Sequence, residues 1–343
     1  MISPLHLRRL VALAGLPTRP RPAVGATPAD VVHRENKLRL LRYRADPEVA
    51  PSGLPVLLVP SLINRHYVLD LMPGKSLVRW LVAQGHEVYC IDWGTPGPED
   101  AGLDMDDVVL GLLGRAVRVA GAGRPVHLLG YCMGGMFTAM LAAVRPAEVA
   151  SLTALAAPIR MAGDPGLLRA WATTRGLDVD ALVAAEGVVP WQLLQGAFQL
   201  LRPTLNLGKA VHLVDRASRE GFLDGYLAME TWANDNVGLP GAFFATYINA
   251  IYRDDRLADG TLSLGGERVD LGAIRCPTHA VVFVDDHIAP AASCRALLEL
   301  VSADERRLLE LRGSHVGGVV STAAARNLWP HLAAFWREFD GVH

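Results

Sequence analysis

The first candidate for chemistry is a cysteine flanked by glycines. Residues 130–134 read Gly-Tyr-Cys-Met-Gly, with Cys132 at the centre. In a Gly-x-nucleophile-x-Gly elbow the turn is so tight that a side chain at either flanking position, here Gly130 or Gly134, would collide with backbone. An apolar run precedes the motif and a helix-compatible run follows it, as a strand-turn-helix elbow requires. The pattern predicts a nucleophilic Cys132, against the alternative of a small buried hydrophobe in an ordinary turn.

A thiol at this position would gain from the helix that follows. The N-terminus of a helix favours a thiolate, and the backbone N–H of Met133 could donate to a developing oxyanion. The second donor in such folds comes from the loop after the first buried strand. We expect it to be the backbone N–H of Leu62 or Ile63.

An acid and a histidine follow the cysteine in the chain order that an elbow nucleophile requires. Asp286 comes just after the apolar run 277–284, and His315 follows the run 307–311. Each is expected at the carboxyl end of a parallel strand, where such sheets place their chemistry. The alternatives are a solvated loop aspartate and a structurally bonded histidine, with Asp285 and His287 as rival triad members.

The elements around these residues alternate between strands and helices. Wholly apolar runs predict strands that are covered on both faces, and longer amphipathic runs predict helices. The predicted strands are 36–43, 55–60, 86–91, 125–130, 277–284 and 307–311, and the predicted helices are 76–84, 105–120 and 136–144. This alternation predicts an α/β-hydrolase fold with a mostly parallel, doubly wound sheet.

Between residues 160 and 260 the alternation stops, and the sequence becomes helical and rich in aromatic residues. We therefore expect a helical cap at 160–260, inserted between core segments at 31–159 and 261–343. Residues 1–30 form an N-terminal arm, in which two arginines precede a short apolar stretch. That stretch lacks a small-residue cleavage site, so we favour an amphipathic helix or a loose arm over a signal peptide.

Composition excludes several classes of protein. The 343 residues are 51% hydrophobic with a net charge of −2, and no basic run stands near the motifs, so nucleic acid is not expected as a partner. The four cysteines are widely spaced, which argues against disulfides and against a structural zinc site, and is typical of a reducing cytoplasm. We therefore expect no metal. We also expect no transmembrane segment, because no apolar run approaches about 18 residues.

Several motifs together resemble one family. They are Ile-Asn-Arg at 63–65, Tyr-Val-Leu-Asp-Leu at 67–71, Gly-Tyr-Cys-Met-Gly-Gly at 130–135, Met-Glu-Thr-Trp at 229–232, Asp-His-Ile at 286–288 and Gly-Ser-His at 313–315. Over most of its length the chain resembles the polyhydroxyalkanoate synthases, and in size it is similar to the short, class III-type catalytic subunits. A cysteine in place of the usual lipase serine is the most specific of these features.

The resemblance implies an acyltransferase that polymerises (R)-3-hydroxyacyl-CoA into polyhydroxyalkanoate and releases CoA. It implies Cys132 as the acyl-accepting nucleophile, His315 as its general base and Asp286 as the acid partner. The CoA thioester is the substrate, and no separate cofactor is expected. Implied partners are a second synthase subunit, in a homodimer or hetero-oligomer, and the surface of polymer granules in the cytoplasm.

Two other functions remain open from the sequence. A cysteine-dependent thioesterase or esterase would use the same triad with water as the acceptor. A granule-associated binding protein would have kept the fold without catalysis. The chain also departs from the family pattern at Ser314, where a second glycine is expected, and at 252–255, where Tyr-Arg-Asp-Asp replaces an Asn-containing stretch.

Overall fold

The computed structural model describes residues 4–163, 166–174, 176–201 and 205–341. Its architecture is an eight-stranded sheet with helices on both faces and a helical segment after the sixth strand. The strands that the described residues form are β1 (Ala29–Glu35), β2 (Leu38–Tyr43), β3 (Val56–Val59), β4 (Val88–Asp92), β5 (Val126–Tyr131), β6 (Val149–Leu155), β7 (Val188–Val189), β8 (Leu239–Pro240), β9 (Ser263–Leu264), β10 (Glu267–Arg268), β11 (Thr278–Phe283) and β12 (Arg306–Leu311).

The main sheet has the order β1-β2-β4-β3-β5-β6-β11-β12. Six neighbouring strands run parallel, namely β4, β3, β5, β6, β11 and β12. The other two, β1 and β2, are antiparallel and lie at one edge of the sheet. Parallel strands place their carboxyl ends at one edge, which brings the residues after β3, β5, β11 and β12 together. The α/β-hydrolase prediction of a mostly parallel sheet is confirmed.

Helices account for most of the remaining chain. They are α1 (Pro4–Ala14), α2 (Leu77–Ala83), α3 (Gly114–Gly121), α4 (Met133–Val144), α5 (Leu167–Ala172), α6 (Val179–Glu186), α7 (Trp191–Leu201), α8 (Leu205–Arg216), α9 (Phe222–Ala233), α10 (Gly241–Thr246), α11 (Ala291–Leu300), α12 (Gly317–Val320), α13 (Thr322–Asn327) and α14 (Trp329–Glu338). Two wider, π-helical stretches occur at Asp107–Leu113 and Tyr247–Arg253.

The two faces of the sheet carry separate hydrophobic cores. Alternate residues of β3 divide between them, since Leu57 points into the core under α3, α4 and α11, and Leu58 into the core under α2 and α14. Successive side chains of a strand point to opposite faces, so a strand covered on both sides must be apolar throughout. This arrangement is the double winding that the sequence predicted.

Several local elements differ from the sequence predictions, among them β1, which was not predicted as a strand. The run predicted as one helix, 105–120, is a π-helical stretch followed by α3. β6 was not predicted, because its serine and threonine break the apolar pattern of a central strand. Both are buried and bonded: Ser151 to His127 Nδ1 at 2.8 Å, and Thr153 Oγ1 accepts from Trp336 Nε1 at 3.2 Å.

The segment from α5 to α10 is mostly helical, as the composition of 160–260 predicted, and the pairing of β7 with β8 joins the residues before α7 to those before α10. Its extent as a separate domain stays a prediction. Within the predicted N-terminal arm, α1 packs against α8, with Arg9 Nη1 3.4 Å from Asp215 Oδ1. None of the described helices is long and apolar enough to cross a membrane.

Candidate active site

Cys132 sits on a strained turn between β5 and α4. Its backbone has φ 57° and ψ −126°, a conformation that costs a non-glycine residue about 1–3 kcal/mol. Two backbone bonds hold it there: Cys132 N–H donates to Leu155 O at 3.0 Å, and Gly135 N–H donates to Cys132 O at 2.9 Å. Such strain persists only where the surroundings fix it, and here it presents the thiol at the carboxyl edge of the sheet.

The glycines of the elbow are required by close contacts. A Cβ on Gly130 would lie 2.4 Å from Gly134 O, and a Cβ on Gly134 would lie 2.0 Å from Val59 O. Gly135 is equally restricted, since its Cβ would lie 2.2 Å from Ala157 Cβ. The predicted reason for the flanking glycines therefore applies, and the end of β3 lies directly against the start of α4.

Asp286 and His315 form a buried pair. His315 Nδ1 lies 2.7 Å from Asp286 Oδ2, and Asp286 Oδ1 accepts the backbone N–H groups of Ile288 at 2.8 Å and Ala289 at 3.0 Å. These three bonds fix the carboxylate and orient the imidazole with Nδ1 as the donor. The other ring nitrogen, Nε2, is then available to Cys132, whose side chain hydrogen-bonds with His315.

Electrostatics favour a charged His315. Burial lowers the pKa of His315, but the negative charge of Cys132 and the hydrogen bond to Asp286 outweigh it and raise that pKa to about 10. A histidine with this pKa holds its proton at neutral pH. The site thus places a charged imidazolium, hydrogen-bonded to the Asp286 carboxylate, beside the Cys132 side chain.

The rival residues lie outside this arrangement. Asp285 is exposed, and its Oδ2 accepts the backbone N–H of Gly313 at 3.3 Å. His287 is also exposed. Of the residues that the sequence offered, the structure brings together Cys132, Asp286 and His315.

Tyr131 is a site residue that the sequence analysis missed. Its ring stacks on that of His315, with centroids 5.2 Å apart and planes at 27°, and its hydroxyl donates to His315 O at 3.1 Å. It is the variable residue before the nucleophile, so the motif itself gives no signal of its role. The one available signal is its position at the buried carboxyl end of β5, the edge of the sheet where the histidine is expected.

The candidate oxyanion donors are Met133 at the start of α4 and two residues of the loop after β3, Leu62 and Ile63. Met133 is the first residue of α4, so its N–H has no acceptor within that helix. Ile63 borders both cavities that reach Cys132, whereas Leu62 borders neither of them and lies in a small cavity beside Trp93 instead. The structure therefore favours Ile63 over Leu62 as the second predicted donor.

Two cavities with different linings meet at Cys132. The smaller one, about 260 Å³, also borders His315; its wall mixes polar and apolar side chains, and we call it the polar cavity because it carries more polar side chains than the other. Its polar side chains come from Ser61, Asn64, Gln195, Gln199, Lys209 and Asn236. Lys209 is paired with Glu230, with Nζ 2.9 Å from Oε1.

The apolar cavity is larger, about 830 Å³, and lies under α5, α6, α7 and α10. Its wall includes Leu168, Trp171, Leu177, Leu182, Phe198, Phe244 and Ile248. Three of the polar side chains on the wall have partners: Tyr247 hydrogen-bonds with Tyr252, and Asp178 accepts Ala181 N–H at the start of α6. Cys132 therefore borders both a cavity of mixed lining and one that is almost wholly apolar.

Fold and site together define an enzyme class. The sequence model of the α/β hydrolase fold matches residues 54–316. Among solved structures, a putative non-heme bromoperoxidase from Mycobacterium tuberculosis is similar with a TM-score of 0.55 at 17% identity, covering 90% of this chain and 99% of that one. A hydrolase from Pseudomonas aeruginosa gives a TM-score of 0.51 at 16% identity, covering 92% and 100%. The chain is an α/β-hydrolase-fold protein with a cysteine elbow.

Sequence comparison narrows this class to one family. Residues 22–81 match the N-terminus of poly-beta-hydroxybutyrate polymerase (PhaC). A poly(3-hydroxyalkanoate) polymerase subunit PhaC from Allochromatium vinosum is 35% identical over 320 residues, 92% of this chain and 89% of that protein. One from Synechocystis is 32% identical, over 92% and 85%. One from Haloferax mediterranei is 34% identical over 92% of this chain but 65% of its own length. The chain belongs to the family of poly(3-hydroxyalkanoate) polymerase PhaC subunits.

Proposed function

We propose that this protein is an acyltransferase that polymerises (R)-3-hydroxyacyl-CoA into polyhydroxyalkanoate through a covalent acyl-Cys132, releasing CoA. The observation that carries the proposal is the meeting of a polar and an apolar cavity at Cys132, beside the Asp286–His315 pair. A polymerase must bind a polar CoA thioester and must also hold the apolar acyl chain on the sulfur of its nucleophile. Family membership supports the same activity.

In the acylation step, the Cys132 thiolate attacks the thioester carbonyl carbon of the substrate. The carbonyl oxygen becomes an oxyanion, stabilised by backbone N–H groups at Met133 and Ile63. Collapse of this intermediate breaks the bond to the CoA sulfur, which takes the proton from the His315 imidazolium and leaves as a thiol. Cys132 then holds the acyl group as a thioester, and His315 is neutral.

In the transfer step, neutral His315 takes the proton from the 3-hydroxyl of the next acyl unit. The resulting oxygen nucleophile attacks the acyl-Cys132 carbonyl, an oxoester forms, and the Cys132 thiolate is released beside an imidazolium. Asp286 has both carboxylate oxygens occupied, by His315 Nδ1 and two backbone amides, and its side chain is fully buried. This supports His315 as the base, with Asp286 holding it in place.

The cavities support transfer to a hydroxyl over hydrolysis. An apolar space of about 830 Å³ is within the range of roughly 300–1,000 Å³ typical of ligand pockets, and several short hydroxyacyl units would fill it. A chain in that space would exclude water from one side of the acyl-Cys132 bond. We place the CoA arm in the polar cavity and the acyl chain in the apolar cavity.

The proposal extends to assembly. The exposed face of α1 carries Leu7, Leu10 and Val11, which are 56%, 54% and 67% exposed, and α8 beside it carries exposed Val211 and Val214. Contiguous exposed apolar residues on one face are typical of association sites. We propose that the protein works in the cytoplasm as a homodimer or with a second, dissimilar synthase subunit, at the surface of polymer granules.

The test is incubation of the purified protein with (R)-3-hydroxybutyryl-CoA, alone and with a second synthase subunit. We expect CoA release to accompany insoluble polyester, and Cys132→Ala to abolish both. CoA release with free acid as the sole product would identify a thioesterase. Unchanged turnover by Cys132→Ala would remove this site from catalysis, whereas no CoA release by the wild-type protein would favour a binding protein. Deletion of residues 1–22 tests the association surface, and unchanged recovery with granules and subunits would contradict it.

A further inference from the structure

Ser61 carries a buried hydroxyl without a partner. The residue is 3% exposed, and its Oγ has no hydrogen-bond partner among the described residues. Leaving a buried donor unpaired destabilises the folded state, and the large majority of buried polar side-chain atoms in proteins are paired. An unpaired hydroxyl in a folded protein therefore calls for an explanation, and a substrate that supplies the partner is one.

The position of Ser61 points to that substrate. It borders the polar cavity together with Cys132 and His315. It stands two residues after Val59, whose carbonyl oxygen would lie 2.0 Å from a Cβ on Gly134. Ser61 is thus held beside the first turn of α4, where the oxyanion of an elbow enzyme forms.

We propose that the Ser61 hydroxyl donates a hydrogen bond to the substrate's thioester oxygen as that oxygen becomes an oxyanion, in addition to the backbone N–H groups of Met133 and Ile63. This inference rests on the proposed function. No proton is transferred, because the hydroxyl keeps its hydrogen and the negative charge passes back to the departing sulfur. Oγ is covered by its neighbours in this structure, so the proposed donation requires a turn about χ1 to another staggered rotamer.

The hydroxyl would act where charge develops. A donor that is already desolvated loses no hydration when the oxyanion forms, so its bond strengthens between the thioester and the tetrahedral intermediate. Removing one such donor slows turnover by roughly 100-fold in well-studied cases. A serine with a purely structural role would have the opposite signature, since its removal would lower stability and leave the chemical step alone.

The experiment compares Ser61→Ala with Ser293→Ala. Ser293 is a matched control, because its hydroxyl is also buried and unpartnered but it borders neither cavity at Cys132. Thermal unfolding and single-turnover CoA release from (R)-3-hydroxybutyryl-CoA are measured for both. We expect both variants to unfold at a temperature equal to or about 1–2 °C above wild type, since each loses an unpaired polar group. Ser61→Ala alone should slow acylation, by about 10- to 100-fold.

Acylation by Ser61→Ala within twofold of wild type would overturn the inference, as would equal slowing by both variants. Ser61→Cys, which keeps a side chain of similar size but is a weak donor, decides the question if the alanine variant does not fold. It should slow acylation at least tenfold, and wild-type rates would contradict the role. If the wild-type protein releases no CoA from any hydroxyacyl-CoA, the proposed function fails instead, whatever Ser61 does.

Discussion

Tyr131 holds His315 in two ways at once, by stacking at 5.2 Å and by donating its hydroxyl to the His315 carbonyl oxygen at 3.1 Å. Because Tyr131 is the neighbour of Cys132 in the chain, the nucleophile and its base are positioned by consecutive residues of one strand end. Any shift of the elbow therefore moves the tyrosine that orients the histidine. The distance between the thiol and the imidazole is protected from independent movements of the two loops.

Tyr131→Phe and Tyr131→Leu separate the two contacts. The phenylalanine keeps the stacking but leaves the buried His315 carbonyl unpaired, so we expect a loss of about 1–3 kcal/mol in unfolding free energy and a modest loss of activity. The leucine removes the ring as well, and we expect a further tenfold fall in kcat. Denaturant unfolding and steady-state CoA release measure both. Equal kcat for the two variants would argue against orientation by stacking.

Gly134→Ala should disrupt the elbow. The added Cβ would lie 2.0 Å from Val59 O, so either β3 or α4 must move. We expect a loss of at least about 2 kcal/mol in unfolding free energy and no measurable CoA release. The control is Gly196→Ala in α7, where a Cβ meets nothing within 4 Å and the better helix propensity should add about 0.5–1 kcal/mol. A Gly134→Ala protein with wild-type stability would contradict the packing described.

Cys132→Ala should lower the pKa of His315. Burial alone lowers that pKa, and it is the charge of Cys132 together with Asp286 that raises it to about 10. Without the thiolate, His315 should lose its proton at a lower pH than in wild type. Titration of the imidazole by NMR measures this, and Asp286→Asn should act in the same direction. An unchanged titration in Cys132→Ala would mean that the thiol is uncharged in the resting protein.

Two histidines beneath α14 should make the fold sensitive to acid. Burial is the main cause that lowers the pKa of His86 and of His279 to about 4. The positive charge of Arg337 further lowers the pKa of His86, and that of Arg307 further lowers the pKa of His279. These histidines take up protons more readily when unfolded, so their stability contribution is full above about pH 6.5 and is lost as pH falls toward 4. Each contributes up to about 3 kcal/mol over that range.

His279→Leu should therefore flatten the fall in unfolding free energy between pH 6.5 and 4. The control is His212→Gln, because His212 is an exposed histidine on α8, away from His279. Denaturant unfolding at several pH values measures the slopes. Parallel pH profiles for His279→Leu and wild type would show that protonation of His279 does not limit stability in acid.

Gly196→Phe should shift the preference for acyl chain length. Gly196 borders the apolar cavity, and a Cβ there would meet nothing within 4 Å, so a larger side chain has open space at its base beside the cavity. We expect kcat/KM for (R)-3-hydroxyoctanoyl-CoA to fall roughly tenfold more than that for the hydroxybutyryl thioester. Gly208→Phe, at an exposed and equally open position in α8, is the control. An unchanged ratio would place the acyl chain elsewhere.

The sequence alone was sufficient to predict the elements that depend on interactions between residues close together in the chain. The elbow at Cys132 needs glycines for steric reasons that a motif records, and Asp286 and His315 follow strands that are apolar runs. Their pairing follows from chain order and the parallel sheet. The choice between Asp285 and Asp286 was settled by side-chain direction, which spacing alone does not encode.

Long-range pairing explains what the sequence analysis missed. The serine and threonine of β6 are tolerated at the centre of the sheet because His127 and Trp336, far away in the chain, bond to them. The stacking of Tyr131 on His315 joins residues 184 positions apart. Likewise, α7 lines both cavities at Cys132. The place of α7 over the site depends on tertiary packing, which the spacing of apolar residues along the chain does not reveal.

The loop after β3 is attached on both sides. On one side it meets α4 at Gly134, and on the other the residues following α9 grip it: Asn64 Nδ2 donates to Asn236 Oδ1 at 2.9 Å, and Arg65 Nε donates to Asp235 Oδ1 at 2.9 Å. Because the same loop contacts both the elbow helix and the residues after α9, a displacement of the end of α9 would displace the loop that carries the candidate oxyanion donor Ile63.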